Sequence, residues 1–449
     1  MMEGMPQLYF CPIALLAGLV LGVAFPSAPR PLVAQAVSRT SLSREEKNAV
    51  IERIIDELSN VYVYKEAAEK IAVHLRQQFE TGNYDVIAED EAFAKRLTTE
   101  LRGVGDDQHL EVVVRRPDPP SAPLADPNAL TDELRFRNFD FARLASLPGN
   151  VRYLELNSFP PPEMAGETAV AAMRFLAGGD AIIIDLRRNS GGTGDMVTFL
   201  STYFFEQRTT LTRTFRRVEN QTTEDRTLPF VPGPRILKAD LFVLTSKATF
   251  SAAEAFAFAL QQLERATIVG EVTRGGANAG RYRAATDRFR VFVPNAHATS
   301  AATGKTWDKV GIEPDVKVPA SSALDVAQRE ALSRLVQKSI DQTRRRDLEW
   351  MAEVVRAKIE PSKHGGKDPR QLTGRYGSYS ISAEGQELFY ARDANPRWPL
   401  MRISPDTFVR DAFAYMSRVT FRGNGANRDI VVEHSDGRKE EFQREGDSH

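Results

Sequence analysis

The sequence predicts a multidomain protein of mixed α+β and α/β structure, with an N-terminal helical bundle, an α/β core and a small C-terminal antiparallel β domain. Three patterns support this prediction. Apolar residues recur every three or four positions between Ser43 and Arg102, which is typical of amphipathic helices. From Val151 to Val318, apolar runs alternate with helical stretches, as in a largely parallel sheet. From Tyr376 to Phe442, short strand-like pieces are separated by glycine turns.

Individual elements follow from the same patterns. A short strand is predicted at Leu110–Val114, before a proline-rich connector that cannot join a sheet interior. In the core, buried strands are predicted at Ala181–Leu186, Leu241–Leu244 and Thr267–Val269, and helices at Met196–Phe205 and Ala252–Leu263. The Thr- and Arg-rich insert Arg208–Arg226 is predicted to form a solvated hairpin.

Composition excludes several classes of protein. The 449 residues carry 59 Lys and Arg against 60 Asp and Glu, a formal net charge of −1, so there is no overall basic field for nucleic acid. Hydrophobic residues make up 42% of the chain, which is ordinary for a globular protein. One cysteine can form neither an intrachain disulfide framework nor a thiolate metal site.

The N-terminal segment 1–36 reads as a signal peptide. Its apolar stretch Leu8–Phe25 is followed by the small-x-small site Ala34-Gln35-Ala36, although a basic start is missing. The alternative is an uncleaved anchor, since about 18 apolar residues can just span a bilayer. Membrane contact is expected only in that case. Cleavage would leave a cysteine-free chain suited to an oxidising, periplasmic or extracellular compartment, because Cys11 lies in this segment.

We predict four further units, each delimited by composition. They are a helical domain at 37–115, an α/β core at 116–330, a helical linker at 331–370 and a β domain at 371–449.

Two strand ends carry candidate chemistry, because sites of α/β sheets form at the carboxyl ends of strands. The loop Asp185–Gly194 contains Gly191 and Gly192, whose amides could cradle an anion or an oxyanion; a tight structural turn is the alternative. Ser251 follows the second of these strand ends, at the start of a predicted helix. There it is either a nucleophile or, with Glu254, one half of a capping box. Spacing alone does not separate these two interpretations.

A serine nucleophile needs a base, and His109 is the candidate. It follows a turn and begins a strand, whereas His74, His364, His434 and His449 lie in surface-like contexts. Acidic residues at turns that could orient it are Asp106, Asp107 and Asp308. A structural histidine is the alternative, and the spacing around His109 matches no metal site.

In this order, the motifs resemble the C-terminal-processing and tricorn-core serine peptidases, especially the branch named for interphotoreceptor retinoid-binding protein. The resemblance extends from Ser43 to Val318, and its segments are Asp107–Leu110, Asp185–Gly192, Thr249–Glu254, Gly270–Ala277 and Gly311–Asp315. It implies a core related to the crotonase and Clp-protease architecture. The interval between the His109 strand and Val151 is too short for the PDZ domain found in many C-terminal-processing members.

The family uses either a Ser–Lys or a Ser–His–acid arrangement. The position of the lysine, 25 residues after the serine in that family, is Gly276 here, and no lysine occurs between Ser251 and Arg290. The resemblance therefore implies Ser251 as nucleophile, His109 as base and Asp308 as the orienting acid. Gln108 stands where the tricorn type has a serine, and Asn278 where close relatives have a histidine.

These observations predict an exported serine endopeptidase that hydrolyses peptide or protein substrates by an acyl-enzyme mechanism, without metal or organic cofactor. The oxyanion would be bound by amides of Gly191 or Gly192 and of Ala252, and Glu254 would support the serine's turn. The alternative is an inactive protein on the same fold that binds a peptide or an apolar ligand. The C-terminal domain resembles the lipocalin-like appendages of exported hydrolases.

Overall fold

The computed structural model describes residues 41–115, 129–359, 368–410, 416–424 and 427–445. The predicted signal peptide lies outside the described residues. Among the helices that are described, none is long and apolar enough to cross a bilayer.

The N-terminal helices pack into one apolar cluster. They are α1 (Arg44–Val61), α2 (Lys65–Glu80) and α3 (Asp90–Gly105). A capping box starts α1: Glu46 N–H donates to the Ser43 hydroxyl at 3.1 Å, and the Glu46 carboxylate accepts from Ser43 N–H at 2.8 Å. The apolar faces predicted by the three- and four-residue spacing are the buried ones. The helical N-terminal region is therefore confirmed.

A six-stranded sheet forms the α/β core, as predicted. Its strands are β2 (Phe141–Leu147), β3 (Val151–Leu156), β4 (Ala181–Asp185), β7 (Asp240–Thr245), β8 (Thr267–Gly270) and β11 (Val316–Lys317). Their order in the sheet is β11-β8-β7-β4-β3-β2, and all neighbours pair in parallel except the edge pair β2 and β3. The central strands have continuous runs of apolar residues because their side chains are buried on both faces of this sheet.

Helices cover both faces of the sheet. One face carries α5 (Pro162–Leu176), α6 (Gly194–Thr202) and α7 (Ala252–Gln262), and the other carries α8 (Ala323–Lys338) and α9 (Gln342–Ile359). The segment 331–370, predicted as a helical linker, thus contains part of α8 and all of α9. Leu332, Leu335 and Leu348 are buried against the sheet, so these helices form a layer of the core.

A second sheet connects the N-terminal helices to the core. It contains β1 (Glu111–Val114), β5 (Thr210–Arg216), β6 (Gln221–Arg226), β9 (Asn278–Ala284) and β10 (Phe289–Ser300). The long strand β10 pairs with β1 near its start, with β5 near its end and with β9. The predicted hairpin at 208–226 is confirmed as β5 and β6. Between β1 and β2, α4 (Ala129–Phe136) is described.

The C-terminal strands form an eight-stranded antiparallel meander in sequence order. The strands are β12 (Gly374–Tyr376), β13 (Tyr379–Glu384), β14 (Glu387–Arg392), β15 (Trp398–Arg402), β16 (Thr407–Arg410), β17 (Ser417–Asn424), β18 (Asn427–His434) and β19 (Lys439–Gln443). Its two ends meet, since Glu445 N–H donates to Arg375 O at 2.8 Å and the Tyr379 hydroxyl donates to Glu440 at 3.1 Å. The predicted small antiparallel β domain is therefore a near-barrel around a buried apolar interior.

Candidate active site

Ser251 occupies a strained turn between β7 and α7. Its backbone has φ 55° and ψ −119°, a combination with positive φ that non-glycine residues rarely adopt. The preceding residues fix this turn: Thr249 donates from its hydroxyl to Leu186 O at 2.9 Å, and Phe250 N–H donates to Asn189 O at 3.1 Å. The carboxyl ends of β4 and β7 thus position the serine at the first turn of α7.

Glu254 is fully buried beneath this turn and accepts four hydrogen bonds. The donors are the backbone N–H groups of Ser251 (2.8 Å), Gly275 (2.7 Å) and Gly276 (2.9 Å) and the hydroxyl of Thr273 (2.6 Å). Burial raises the pKa of Glu254 although these donors oppose the shift. The carboxylate therefore joins the serine turn to the loop after β8.

The loop after β4 brings two glycines to the serine. Gly191 N–H donates to the side-chain oxygen of Asn189 at 2.9 Å, and the buried Asn189 amide donates to Leu156 O at 2.9 Å. Gly192 has φ 145°, and a Cβ there would lie 2.1 Å from Phe159 O, so only glycine fits. No described residue accepts a hydrogen bond from the amides of Gly192 and Ala252. Between the two glycines, the geometry therefore favours Gly192 as the partner of Ala252 in an oxyanion site.

A cleft of about 310 Å³ opens beside these groups. Ser251, Ala252 and Gly192 lie in its wall together with Gly276 and Trp307. A substrate carbonyl entering the cleft would thus meet a hydroxyl and two amides without partners, the arrangement that acyl transfer requires.

His109 lies against the cleft wall, on the turn that follows α3. Its side chain is 8% exposed, and neither ring nitrogen has a hydrogen-bond partner. The ring packs on Phe250 with centroids 4.3 Å apart, and a Cβ on Gly276 would lie 2.5 Å from His109 Cε1. No hydrogen bond joins His109 to Ser251. Hydrogen bonds between catalytic groups often tighten only when a substrate binds.

Asp107 is the carboxylate beside His109. Its Oδ1 lies 3.6 Å from Nδ1 of the imidazole and accepts the His109 backbone N–H at 2.9 Å. Its Oδ2 accepts from the Tyr62 hydroxyl at 3.1 Å and from the Asn278 amide at 3.0 Å. Burial works to raise the pKa of Asp107, but the contacts with His109 and Asn278 outweigh it and lower the pKa below its ordinary value. Asp107 is therefore ionised next to the candidate base.

Asp308, the acid implied by the family resemblance, makes different contacts. Its Oδ2 accepts from the Tyr64 hydroxyl at 2.8 Å, and its Oδ1 accepts from Ala277 N–H at 3.2 Å. His109 is not within ion-pair distance of this carboxylate. Asp308 thus lies in the site, but it reaches the imidazole only through other side chains.

Asn278 connects the two carboxylates. Its amide nitrogen donates to Asp107, and its oxygen lies 2.8 Å from Nδ1 of His297 and 3.3 Å from the Tyr64 hydroxyl. His297 Nδ1 is also 2.9 Å from the Tyr64 oxygen. Because the single hydroxyl proton of Tyr64 goes to Asp308 and a carbonyl only accepts, we assign the proton of His297 to Nδ1.

The structure therefore brings together most of the residues singled out from the sequence. Gly191, Gly192, Ser251, Ala252 and Glu254 surround one turn, and His109 and Asp308 flank the same glycine loop. Gln108 is half-buried next to His109 and has no hydrogen-bond partner among the described residues. In the part of the chain that the structure describes, no group of three or more His, Cys, Asp or Glu residues is arranged as a metal site.

Sequence reasoning missed Tyr62, Tyr64 and His297. Of the three, His297 is the easiest to notice in the sequence, because it is a histidine among the apolar and small residues of β10. The tyrosines carried no signal, since tyrosine at the end of a helix is ordinary packing material.

Several solved protein structures are similar to this chain. A putative peptidase from Parabacteroides merdae has 17% identity and a TM-score of 0.45, with 67% of this chain and 100% of that chain covered. A lipoprotein from Streptococcus agalactiae has 14% identity and a TM-score of 0.43, covering 64% and 96%. A photosystem II D1 C-terminal processing protease has 17% identity and a TM-score of 0.38, covering 62% and 94%.

Family models match both halves of the site. The model of peptidase family S41 matches residues 150–318, which include Gly192, Ser251 and Asp308. The model of the N-terminal domain of this peptidase family in eukaryotic interphotoreceptor retinoid-binding protein matches residues 34–135, which include His109. The chain belongs to peptidase family S41.

Proposed function

We propose that this protein is a serine endopeptidase in which Ser251 attacks the peptide carbonyl. The observation that carries the proposal is the strained backbone of Ser251 at the start of α7, in a cleft wall with two amides that have no acceptor. Strain of this kind costs about 1–3 kcal/mol and is retained where it serves a function. A capping residue alone would not need it.

His109 acts as general base and takes the hydroxyl proton of Ser251 as the serine oxygen attacks the carbonyl and the tetrahedral intermediate forms. It later returns the proton to the leaving amine. Both ring nitrogens are free of competing partners, so the imidazole can turn toward the serine when substrate fills the cleft. The amides of Gly192 and Ala252 bind the oxyanion, and each such donor contributes about 2.7–4 kcal/mol in comparable sites.

Two carboxylates assist the imidazole in this proposal. Asp107 stabilises the imidazolium directly from 3.6 Å. Asp308 acts at a distance, because Tyr64, His297 and Asn278 connect it to Asp107. Hydroxyl, amide and imidazole groups hydrogen-bond to one another between these two carboxylates and hold them in fixed orientations.

The deciding test is labelling by a fluorophosphonate probe, which reacts with activated serines. The wild-type protein should be labelled and should cleave peptides, and Ser251→Ala should do neither. The matched control is Ser380→Ala, which removes an ordinary exposed hydroxyl on β13. Equal labelling of wild type and Ser251→Ala would refute the assignment.

We also propose that the protein is exported and that its N-terminal segment is removed. The support is the apolar stretch Leu8–Phe25 and the small-x-small site that follows it. Expression with the full N terminus in a bacterial host, followed by mass analysis of the product, should give a chain that begins at Val37. A membrane-bound product of full length would favour the anchor instead.

A binding protein on the same fold is the second candidate. It is favoured by the lack of a hydrogen bond between Ser251 and His109. Such a protein would bind peptides or apolar ligands equally well with Ser251→Ala and would turn over no peptide in a library. The peptidase proposal predicts the opposite result in the turnover assay.

A further inference from the structure

Asp225 on β6 is a second charged feature of the cleft that contains Ser251. Its Oδ2 accepts hydrogen bonds from the hydroxyls of Thr212 at 2.8 Å and Thr214 at 2.9 Å. Both threonines are buried on β5, and they project from the same face of the strand because they are two residues apart. The carboxylate is therefore held in one orientation before any ligand arrives.

The charge of Asp225 is not neutralised within the protein. The two hydroxyls are neutral donors, and no Lys, Arg or His among the described residues forms an ion pair with this carboxylate. Oδ2 is occupied by the threonines, so Oδ1 is the oxygen left to accept from a ligand. A half-buried, fixed carboxylate without a counter-ion, in the wall of a binding cleft, is suited to a cationic partner.

The other charged side chains of the cleft are Asp195 and Arg216. Arg216 lies on β5 opposite Gln221, whereas Asp225 lies opposite Thr212. Four residues of strand, about 13 Å, separate these two positions, and Arg216 forms no ion pair with Asp225. Asp195 lies in the first turn of α6 and is exposed. Its carboxylate is therefore solvated, whereas that of Asp225 is held by the two threonines.

We propose that Asp225 determines specificity by selecting a Lys or Arg side chain of the peptide in this cleft. The inference rests on the proposed peptidase function, because it assumes that a peptide lies across Ser251. The buried threonine pair orients the Asp225 carboxylate, and the negative charge of this carboxylate, which no counter-ion within the described residues neutralises, attracts the cationic side chain. Acidic peptides would be disfavoured at the same position.

Peptide binding tests this inference separately from catalysis. Short fluorescent peptide libraries with Lys, Arg, Met or Glu fixed at one central position are titrated against Ser251→Ala protein, with and without Asp225→Asn. The basic libraries should bind about tenfold more tightly than the Met library, and Asp225→Asn should remove this preference while leaving binding of the Met library unchanged. Asparagine keeps an oxygen for the threonine hydroxyls, so the fold is preserved.

Asp195→Asn is the matched control, since it removes a charge from the same cleft without the threonine pair, and it should keep the preference. Equal binding of basic and Met libraries, or a preference that survives Asp225→Asn, would overturn the inference. Either result leaves the fluorophosphonate test of Ser251 untouched. Conversely, a protein that selects basic peptides through Asp225 but shows no Ser251-dependent labelling would keep the selectivity of the cleft and lose the peptidase function.

Discussion

The carboxylate of Asp107 lies 3.6 Å from Nδ1 of His109, while Asp308 contacts Tyr64 and is outside ion-pair distance of the imidazole. The carboxylate nearest to the base in sequence is thus also the nearest in space. The two carboxylates should therefore contribute unequally to catalysis.

Asp107→Asn should lower kcat/KM about 100-fold, because the imidazolium loses its adjacent charge and general base catalysis typically contributes 10²–10⁴-fold. Asp308→Asn should lower it only about tenfold, because its effect passes through Tyr64, His297 and Asn278. Steady-state kinetics on one peptide substrate measure both, with circular dichroism to verify folding. A larger loss in Asp308→Asn would show that this residue orients His109 directly once substrate is bound.

The strained backbone of Ser251 should lower the stability of the folded protein. Ser251→Gly should raise the free energy of unfolding by about 1 kcal/mol relative to Ser251→Ala, because only glycine adopts φ 55° without a steric penalty. Both variants lack the hydroxyl, so the comparison isolates the backbone. Chemical denaturation measures the difference. If the glycine variant is no more stable than the alanine variant, the turn is not strained.

Sequence reasoning succeeded where the signal was local. Apolar runs predicted β4, β7 and β8 because these strands are buried on both faces, and glycine spacing identified the loops around Ser251. The hydrogen-bond network behind His109 was not accessible in this way. Tyr64 and Asp308 are 244 positions apart, and Asn278 and Asp107 are 171 positions apart, so they meet only when the N-terminal helices pack on the core through β10.

Gly276 provides a steric test of the base's position. A Cβ there would lie 2.5 Å from His109 Cε1 and 2.2 Å from Phe250 Cε2. Gly276→Ala should therefore displace the imidazole and lower kcat at least about tenfold, since a misplacement of about 1 Å can cost about 100-fold. The matched control is Gly166→Ala on α5, where a Cβ meets nothing within 4 Å, so activity should be unchanged. Unchanged kinetics in both variants would mean that His109 does not serve the reaction from this position.

His297 should make stability depend on pH. Burial lowers its pKa below the ordinary 6.5, although the nearby charges of Asp308 and Asp107 oppose the shift. The unfolded chain therefore binds this proton more tightly than the folded protein. The favourable contribution is complete above pH 6.5 and is lost as the pH falls from there toward the folded-state pKa.

Thermal unfolding between about pH 5 and pH 7.5 measures this effect. The midpoint of the wild-type protein should fall with decreasing pH more steeply than that of His297→Gln, which cannot titrate at this position. If wild type and His297→Gln respond equally to pH, burial does not lower the pKa of this histidine as expected.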